Sequence, residues 1–382
     1  MNFEWTKEQA DIRRAAREFA EAEFPNFAKE CDRREEYPKE LWKKASELGF
    51  IGLFISEKYG GPGFGFTEAC IVMEEFWRVD PGCGNIVLAA FGTEIIQKFG
   101  TEEQKTKYLP LIPAGKAIMA TAVTEPDAGS DIFSGSTTAV KDGNEYIING
   151  NKTFITNGSV ADFVVVYCKT TPKESNRYKG NTFFIVETDR KGFEANKITG
   201  KMGIRASDTA EMSFSDVRVP AKNLIGDVEG EGFRQVMYVF NINRTFAAIQ
   251  GVGVAQGAFE KAVAYVKKRK QFGKTIASFQ GTQFKIAEMI TKIEVARNMV
   301  YKACWLLDNN DFNPLPIAIA KLYSGEIAVR VVDEALQMFG GYGYIAEYDV
   351  ERFYRDAKIV EIYEGAKEIE KITIAREILG RE

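Results

Sequence analysis

The spacing of apolar residues changes twice along the chain, and those two changes limit the fold more than any other feature of the sequence. From residue 6 to about 118, apolar side chains recur at three- and four-residue steps, as in Ile12, Ala15, Ala16, Phe19 and Ala20, the period of a helix with one buried face. Between 119 and 230 they gather into short runs rich in β-branched and aromatic residues. These are Glu145-Tyr146-Ile147-Ile148, Phe163-Val164-Val165-Val166-Tyr167, Thr182-Phe183-Phe184-Ile185-Val186 and Glu211-Met212-Ser213-Phe214, with Asp142-Gly143 and Asn149-Gly150 as hairpin dipeptides. From 231 to 382 long helical stretches return, and Ile286, Ile290, Ile293, Ala296, Val300, Ala303 and Leu307 form the narrow stripe of a bundle helix. The expected fold is α+β in three parts: a helical domain (1–118), a small antiparallel barrel or sandwich (119–230) and a helical bundle (231–382). Strand and helix never alternate as a βαβ dinucleotide fold requires. Gly251-Val252-Gly253 sits inside a helical pattern with Gln256 where a third fingerprint glycine belongs, so these glycines are read as helix-packing positions.

Composition narrows the chemistry. A chain of 382 residues, 45% hydrophobic and 27% charged, has room for two or three domains, and its net charge of −4 gives no general drive toward nucleic acid or an anionic membrane. No apolar run is long enough to span a bilayer, and Met1-Asn2-Phe3-Glu4-Trp5 carries neither a basic nor an apolar leader, so a cytoplasmic protein without membrane insertion is expected. The five cysteines are scattered, odd in number and without a CxxC pair, which argues against a disulfide framework and a zinc site. There is no histidine at all. That removes Ser-His-Asp and Cys-His nucleophiles, HExxH metal sites and any histidine base, and leaves proton chemistry to carboxylates, lysines, tyrosines or a cofactor.

Several stretches carry the residue types such chemistry needs. Ile362-Tyr363-Glu364-Gly365-Ala366-Lys367-Glu368-Ile369 places a carboxylate before a glycine, on a bend that lets backbone approach a ligand. Val123-Thr124-Glu125-Pro126-Asp127-Ala128-Gly129-Ser130-Asp131 is a turn rich in hydroxyls and acids, and Lys152-Thr153-Phe154-Ile155-Thr156-Asn157 follows a hairpin. Lys268-Arg269-Lys270-Gln271-Phe272-Gly273-Lys274 is followed by Gln280, and Gln337-Met338-Phe339-Gly340-Gly341 ends a long helix. Taken singly, each has an ordinary structural reading: a surface acid, a solvated loop, a core aromatic, a solvated helix end. Together, in this order and over essentially the whole chain, they resemble the acyl-CoA dehydrogenase family.

The resemblance implies a C-terminal four-helix bundle, a homotetramer, one non-covalent FAD per subunit, an acyl-CoA substrate and electron-transferring flavoprotein as acceptor. It implies that Glu364 removes the α-proton while the β-hydrogen leaves as hydride to flavin N5, with the Glu364 N–H and a flavin ribityl hydroxyl on the thioester carbonyl. Val123, Thr124, Phe154, Ile155 and Thr156 would border the flavin, with Phe154 where tryptophan is commoner. Arg269 would neutralise the pyrophosphate, with Phe272 and Gln280 beside it. Gln337, Gly340 and Gly341 would reach the dinucleotide from a neighbouring subunit. Ala366, where threonine is common, and Glu368 would also border the cofactor, while Ser130, Asn241, Arg244, Tyr363 and Gly365 would meet the substrate. A branch of the family carries its base on the helix before the Arg244 motif; Asn243 stands there and is no useful base. Ile86 to Phe91, the expected pocket-side stretch, holds no cation to pair with a dicarboxylic substrate. An alicyclic acyl-CoA dehydrogenase, an acyl-CoA oxidase and a non-catalytic DNA-binding relative remain as alternatives.

Overall fold

A computed structural model describes residues 4–171, 176 and 178–380. The chain begins with seven helices: α1 (Lys7–Glu23), α2 (Ala28–Arg34), α3 (Lys39–Glu47), α4 (Phe66–Val79), α5 (Pro81–Gly84), α6 (Thr93–Phe99) and α7 (Glu102–Tyr108). Capping residues set where they start. The Thr6 hydroxyl accepts from Gln9 N at 3.1 Å while the Gln9 side chain accepts from Thr6 N, and Thr101 and Gln104 repeat the arrangement at α7. Helix α4 is buried on every side from Ala69 to Arg78, which makes it the axis of this part. Its Glu75, 1% exposed, survives burial because Arg13, Arg17 and Arg78 surround it at 2.7–2.9 Å.

Seven strands follow: β1 (Met119–Ala122), β2 (Thr138–Asp142), β3 (Glu145–Thr156), β4 (Phe163–Lys169), β5 (Asn181–Glu187), β6 (Phe193–Lys197) and β7 (Thr209–Pro220). They form one sheet in the order β1-β4-β2-β3-β7-β6, with β5 on β4. Its pairings are mainly antiparallel. The exception is β4, which takes β1 alongside in parallel and touches β2 in parallel at Thr138–Lys169, the β2–β3 hairpin lying within the crossover. Burial on both faces explains why β4 and β5 read as continuous apolar runs. In β3 the pairing with β7 slips between Lys152 and Ile155, and at this bulge Phe154 takes φ +57° and turns outward, 68% exposed.

The remaining helices are α8 (Gly232–Lys268), α9 (Gln280–Asp308), α10 (Pro314–Phe339), α11 (Val350–Ala357) and α12 (Lys367–Leu379), with α8, α9, α10 and α12 forming the bundle. Between α8 and α9 lies a short hairpin of β8 (Lys270–Gln271) and β9 (Lys274–Thr275). Helix α10 stops at Gly340, φ +60°. The expected stripe on α9 is buried from Ile293 to Leu307, but Ile286 and Ile290, nearer the start of that helix, are only half-buried. Gly251 and Gly253 are packing positions: added Cβ atoms would meet Ser324 O and Glu74 O at 2.9 and 2.7 Å. Gly257 is tighter, since a Cβ there would overlap Arg78 O of α4 and come within 2.7 Å of Phe353. Gly257→Ala should therefore lower the thermal unfolding midpoint. Overpacking costs about 1–3 kcal/mol, against a helix-propensity gain of about 1 kcal/mol; a rise in the midpoint would show that α4 and α8 are not in contact there.

Candidate active site

Helix α11 runs into a single-turn helix over Lys358–Glu361 and then a turn at Tyr363-Glu364-Gly365-Ala366 before α12. Two successive residues are left-handed, Glu364 at φ +51° and Gly365 at φ +104°. Glycine is required at 365, where a Cβ would overlap the Glu370 carboxylate; Glu364 holds its conformation at a cost of about 1–3 kcal/mol. The turn is clamped from several sides. The buried Lys321 ammonium of α10 donates to Gly365 O, and the Tyr363 hydroxyl donates to Gln250 Oε1 of α8. Ala366 O accepts from Ile369 N and Glu370 N at 2.8 and 3.1 Å, starting α12. Beneath the turn Arg244 and Glu370, both buried, form an ion pair at 2.9 Å.

One turn of α8 supplies the other polar groups. Arg244 donates to Asn241 Oδ1 at 3.3 Å, and the Asn243 side chain is hydrogen-bonded to the Glu364 carboxyl. The half-buried Glu364 carboxyl is pushed up to about 6 by desolvation, with the Asn243 bond and the charges of Lys321 and Arg244 pulling it back. Burial lowers Lys321 to about 8 against the pull of Glu370 and Glu364. The arrangement can accept a proton near neutral pH.

The strand residues form a second group. Val123 is buried and its carbonyl accepts from Lys152 Nζ at 2.9 Å; Lys152, itself buried, pairs with Glu125 at 2.8 Å. Thr124 O accepts from Thr153 N at 3.0 Å, which ties the turn after β1 to the β3 bulge. Ile155 is buried, Thr156 half-buried and Ser130 exposed, so the open face of this group consists of the Phe154 ring and neighbouring hydroxyls.

The third group lies elsewhere. Arg269 caps α8 at its far end, with its guanidinium over the Tyr342 ring at 5.3 Å. It shares a cleft of about 800 Å³ with Gln337, Gly340 and Gly341, lined only by residues between Tyr265 and Ile345. Phe272, 91% exposed, and the exposed Gln280 flank it. The expectation that Arg269 and Gln337–Gly341 act from different subunits is corrected here: both line one cleft of one chain, because α10 ends beside the C-terminus of α8. Twenty-five residues of α8 separate Arg244 from Arg269, about 37 Å along the axis at 1.5 Å per residue. Ala366 is half-buried at the start of α12, and Glu368, two residues on, is exposed.

A flavin dinucleotide fits these residues. Arg269 has no carboxylate partner among the described residues, and beside it Gly340 and Gly341 leave open space where a Cβ would stand, a cradle suited to an anionic pyrophosphate. The outward Phe154 ring offers the flat apolar surface an isoalloxazine needs. Lys321, Glu370, Gln250 and Glu94 were missed in the sequence. Their one signal is a charged or amide side chain at a buried phase of an apolar helix, as with Lys321 in Ile317-Ala318-Ile319-Ala320-Lys321.

Comparison with known proteins agrees over the full length. The acyl-CoA dehydrogenase N-terminal, middle and C-terminal domain families match residues 6–116, 120–217 and 230–379. The chain belongs to the acyl-CoA dehydrogenase family. It is 43% identical over 383 residues to the short-chain specific acyl-CoA dehydrogenase of Clostridium acetobutylicum, covering 99% of this chain and 100% of the relative. It is 41% identical over 376 residues to the caffeyl-CoA reductase-Etf complex subunit CarC of Acetobacterium woodii, covering 97% and 98%. The butyryl-CoA dehydrogenase structure from Megasphaera elsdenii superposes with a TM-score of 0.95 at 38% identity, covering 99% of this chain and 100% of that one. This acyl-CoA dehydrogenase is thus an FAD-dependent oxidoreductase acting on an acyl-CoA thioester to give an enoyl-CoA. No described helix is long and apolar enough to cross a membrane, and no metal-binding cluster occurs among the described residues. Lys321→Met should leave Gly365 O without its partner and remove a cation near Glu364. Stopped-flow flavin reduction should slow by about tenfold, consistent with the ~1–3 kcal/mol cost of an orphaned buried acceptor, and its pH profile should move to higher pH. An unmoved profile would reduce Lys321 to a packing residue.

Proposed function

We propose that Glu364 is the base that takes the α-proton of the thioester, with Asn243 holding its carboxyl and the Lys321–Gly365 bond holding its backbone. The observation that carries this reading is a single carboxyl raised to about 6 on a strained turn gripped by three helices. Such a group is ionised at neutral pH yet basic enough to accept a proton. The Glu364 N–H lies before α12 and makes no backbone hydrogen bond among the described residues, so it is available to the thioester oxygen as enolate charge develops. Bound FAD supplies the hydride acceptor. Val123, Thr124, Phe154, Ile155 and Thr156 hold its ring system, and Tyr363, Gly365, Asn241, Arg244 and Ser130 line the way of the acyl-CoA. Ala366 gives the cofactor no hydroxyl, and Glu368 borders the site from outside.

The roughly 37 Å along α8 supports a site shared between subunits, here assigned to a homotetramer, since no dinucleotide reaches from the Glu364 turn to Arg269 of the same chain. Arg269, Phe272, Gln280, Gln337, Gly340 and Gly341 of one subunit then grip the FAD whose ring system stands in the next. Large exposed apolar side chains on the same side of the bundle, Phe272, Phe284 at 59% and Tyr344 at 86%, suit an interface. Sedimentation should show a tetramer, and Arg269→Ala should lose FAD while keeping its helical circular dichroism. A monomer with full FAD content would contradict the shared site.

The ionised base is the active form, so anaerobic flavin reduction should rise with pH through about 6 and level off above it. Glu364→Gln keeps the size of the side chain and removes its basicity. FAD content and acyl-CoA affinity should survive, while flavin reduction falls by about 10²–10⁴-fold or more. Bleaching at close to the parent rate would place the proton elsewhere.

A further inference from the structure

The fold pairs its buried glutamates with cations: Glu74 with Arg297, Glu75 with Arg13, Glu125 with Lys152 and Glu370 with Arg244, all at 2.7–2.9 Å. Glu94 is the exception. It is 4% exposed in α6, no Lys or Arg pairs with it among the described residues, and it follows the apolar stretch Ile86–Ala90. Its Oε2 accepts from Gly92 N at 2.8 Å, while Oε1 is buried with no hydrogen-bond partner among the described residues. Burying such an oxygen is costly unless something else supplies its partner.

The place of Glu94 indicates what that partner is. The segment from Phe91 to Glu94 bridges sheet and bundle: Thr121 of β1 donates to Phe91 O at 3.0 Å, and α6 packs against α8. The charge of Glu94 is felt by the half-buried Tyr238 of α8, and Glu94 in turn feels the charge of Glu364 in the turn before α12. The two carboxyls, one on α6 and one on the turn before α12, are thus close enough to act on each other. We propose that Glu94 is a second carboxyl of the acyl site, and that it selects acyl-CoA substrates carrying an uncharged hydrogen-bonding oxygen (hydroxyl, ether or keto) beyond Cβ. This deepens the reading of Glu364 as the base and depends on that site being the acyl site.

Titration is consistent with these roles. Burial, offset in part by the Gly92 N–H and reinforced by the negative charge of Glu364, lifts Glu94 to about 7, above the value of about 6 for Glu364. Near neutrality the first proton of the pair therefore resides mainly on Glu94. Glu94 then donates its O–H to a substrate oxygen, or accepts from a substrate hydroxyl, while Glu364 stays free to act as base. A site built to hydrogen-bond a substrate oxygen rejects the analogue lacking it far more strongly than an apolar pocket rejects a methylene. A second carboxylate on the substrate would meet like charge here.

The test uses holoenzyme and matched substrates: 4-hydroxybutyryl-CoA against butyryl-CoA, 5-hydroxypentanoyl-CoA against pentanoyl-CoA, and 3-(4-hydroxyphenyl)propionyl-CoA against 3-phenylpropionyl-CoA. The parent enzyme should favour the oxygenated member of at least one pair by tenfold or more in kcat/KM. Glu94→Leu should erase that ratio, and Glu94→Gln, which keeps a donor and an acceptor, should retain part of it. If Glu94→Leu fails to hold FAD, the Glu94→Gln ratio decides, and no change from the parent ratio overturns the proposal. So does a preference for the unsubstituted member in every pair, or for 4-aminobutyryl-CoA over the hydroxy compound. Calorimetric binding of the same pairs to Glu364→Gln separates the two readings: discrimination there must vanish when Glu94→Leu is added, whether or not Glu364 proves to be the base.

Discussion

The Tyr363-Glu364-Gly365 turn depends on a cluster of charges sealed beneath it. Arg244 and Glu370 pair out of contact with water, and the buried Lys321 ammonium donates to the turn carbonyl within reach of the Glu370 charge. Such a cluster is weak evidence for stability, since desolvation offsets most of the attraction. Removing one partner is another matter, because it strands a buried charge at a cost of about 3–5 kcal/mol. The cluster therefore fixes geometry more than it adds stability. It joins α8, α10 and α12 at one point, and the backbone above it has nowhere to relax. That is why a non-glycine residue can be kept in a left-handed conformation at position 364.

Much of this was legible in the sequence. The two changes of apolar spacing gave helical, strand and helical parts, and the motif order identified the family and the Glu-Gly turn. What could not be read is what depends on distant contacts. Lys321 and Glu370 lie 49 residues apart and look like ordinary charged helix residues until α10 and α12 are packed together. Glu94 is hidden for the same reason: nothing in Phe91-Gly92-Thr93-Glu94 shows that one carboxylate oxygen is buried without a partner. The placing of Arg269 and Gln337 on opposite sides of a subunit boundary failed because their adjacency comes from two long helices ending together. The half-buried Ile286 and Ile290 carry the same lesson in reverse, since a periodic stripe gives the buried face of a helix but not how deeply each turn of it is buried.

The β domain contributes through an irregularity. A regular β3 would alternate its side chains and leave the residue at 154 in register with β7. The slip between Lys152 and Ile155 breaks that alternation and turns an aromatic ring outward, while the buried Lys152–Glu125 pair and the Thr153–Thr124 bond anchor the bulge to the turn after β1. The two stretches proposed to border the flavin, about thirty residues apart in sequence, are thereby fixed to one another before any ligand arrives.

The length of α8 has a further consequence for how the enzyme comes into being. One continuous helix carries Arg244 at one site and Arg269 at another, so in the proposed assembly a newly made chain on its own can complete neither. Cofactor capture then waits on the meeting of subunits. A solitary subunit would not hold a redox-active flavin open to dioxygen, and the quaternary structure would act as a safeguard during biogenesis as well as a scaffold for catalysis.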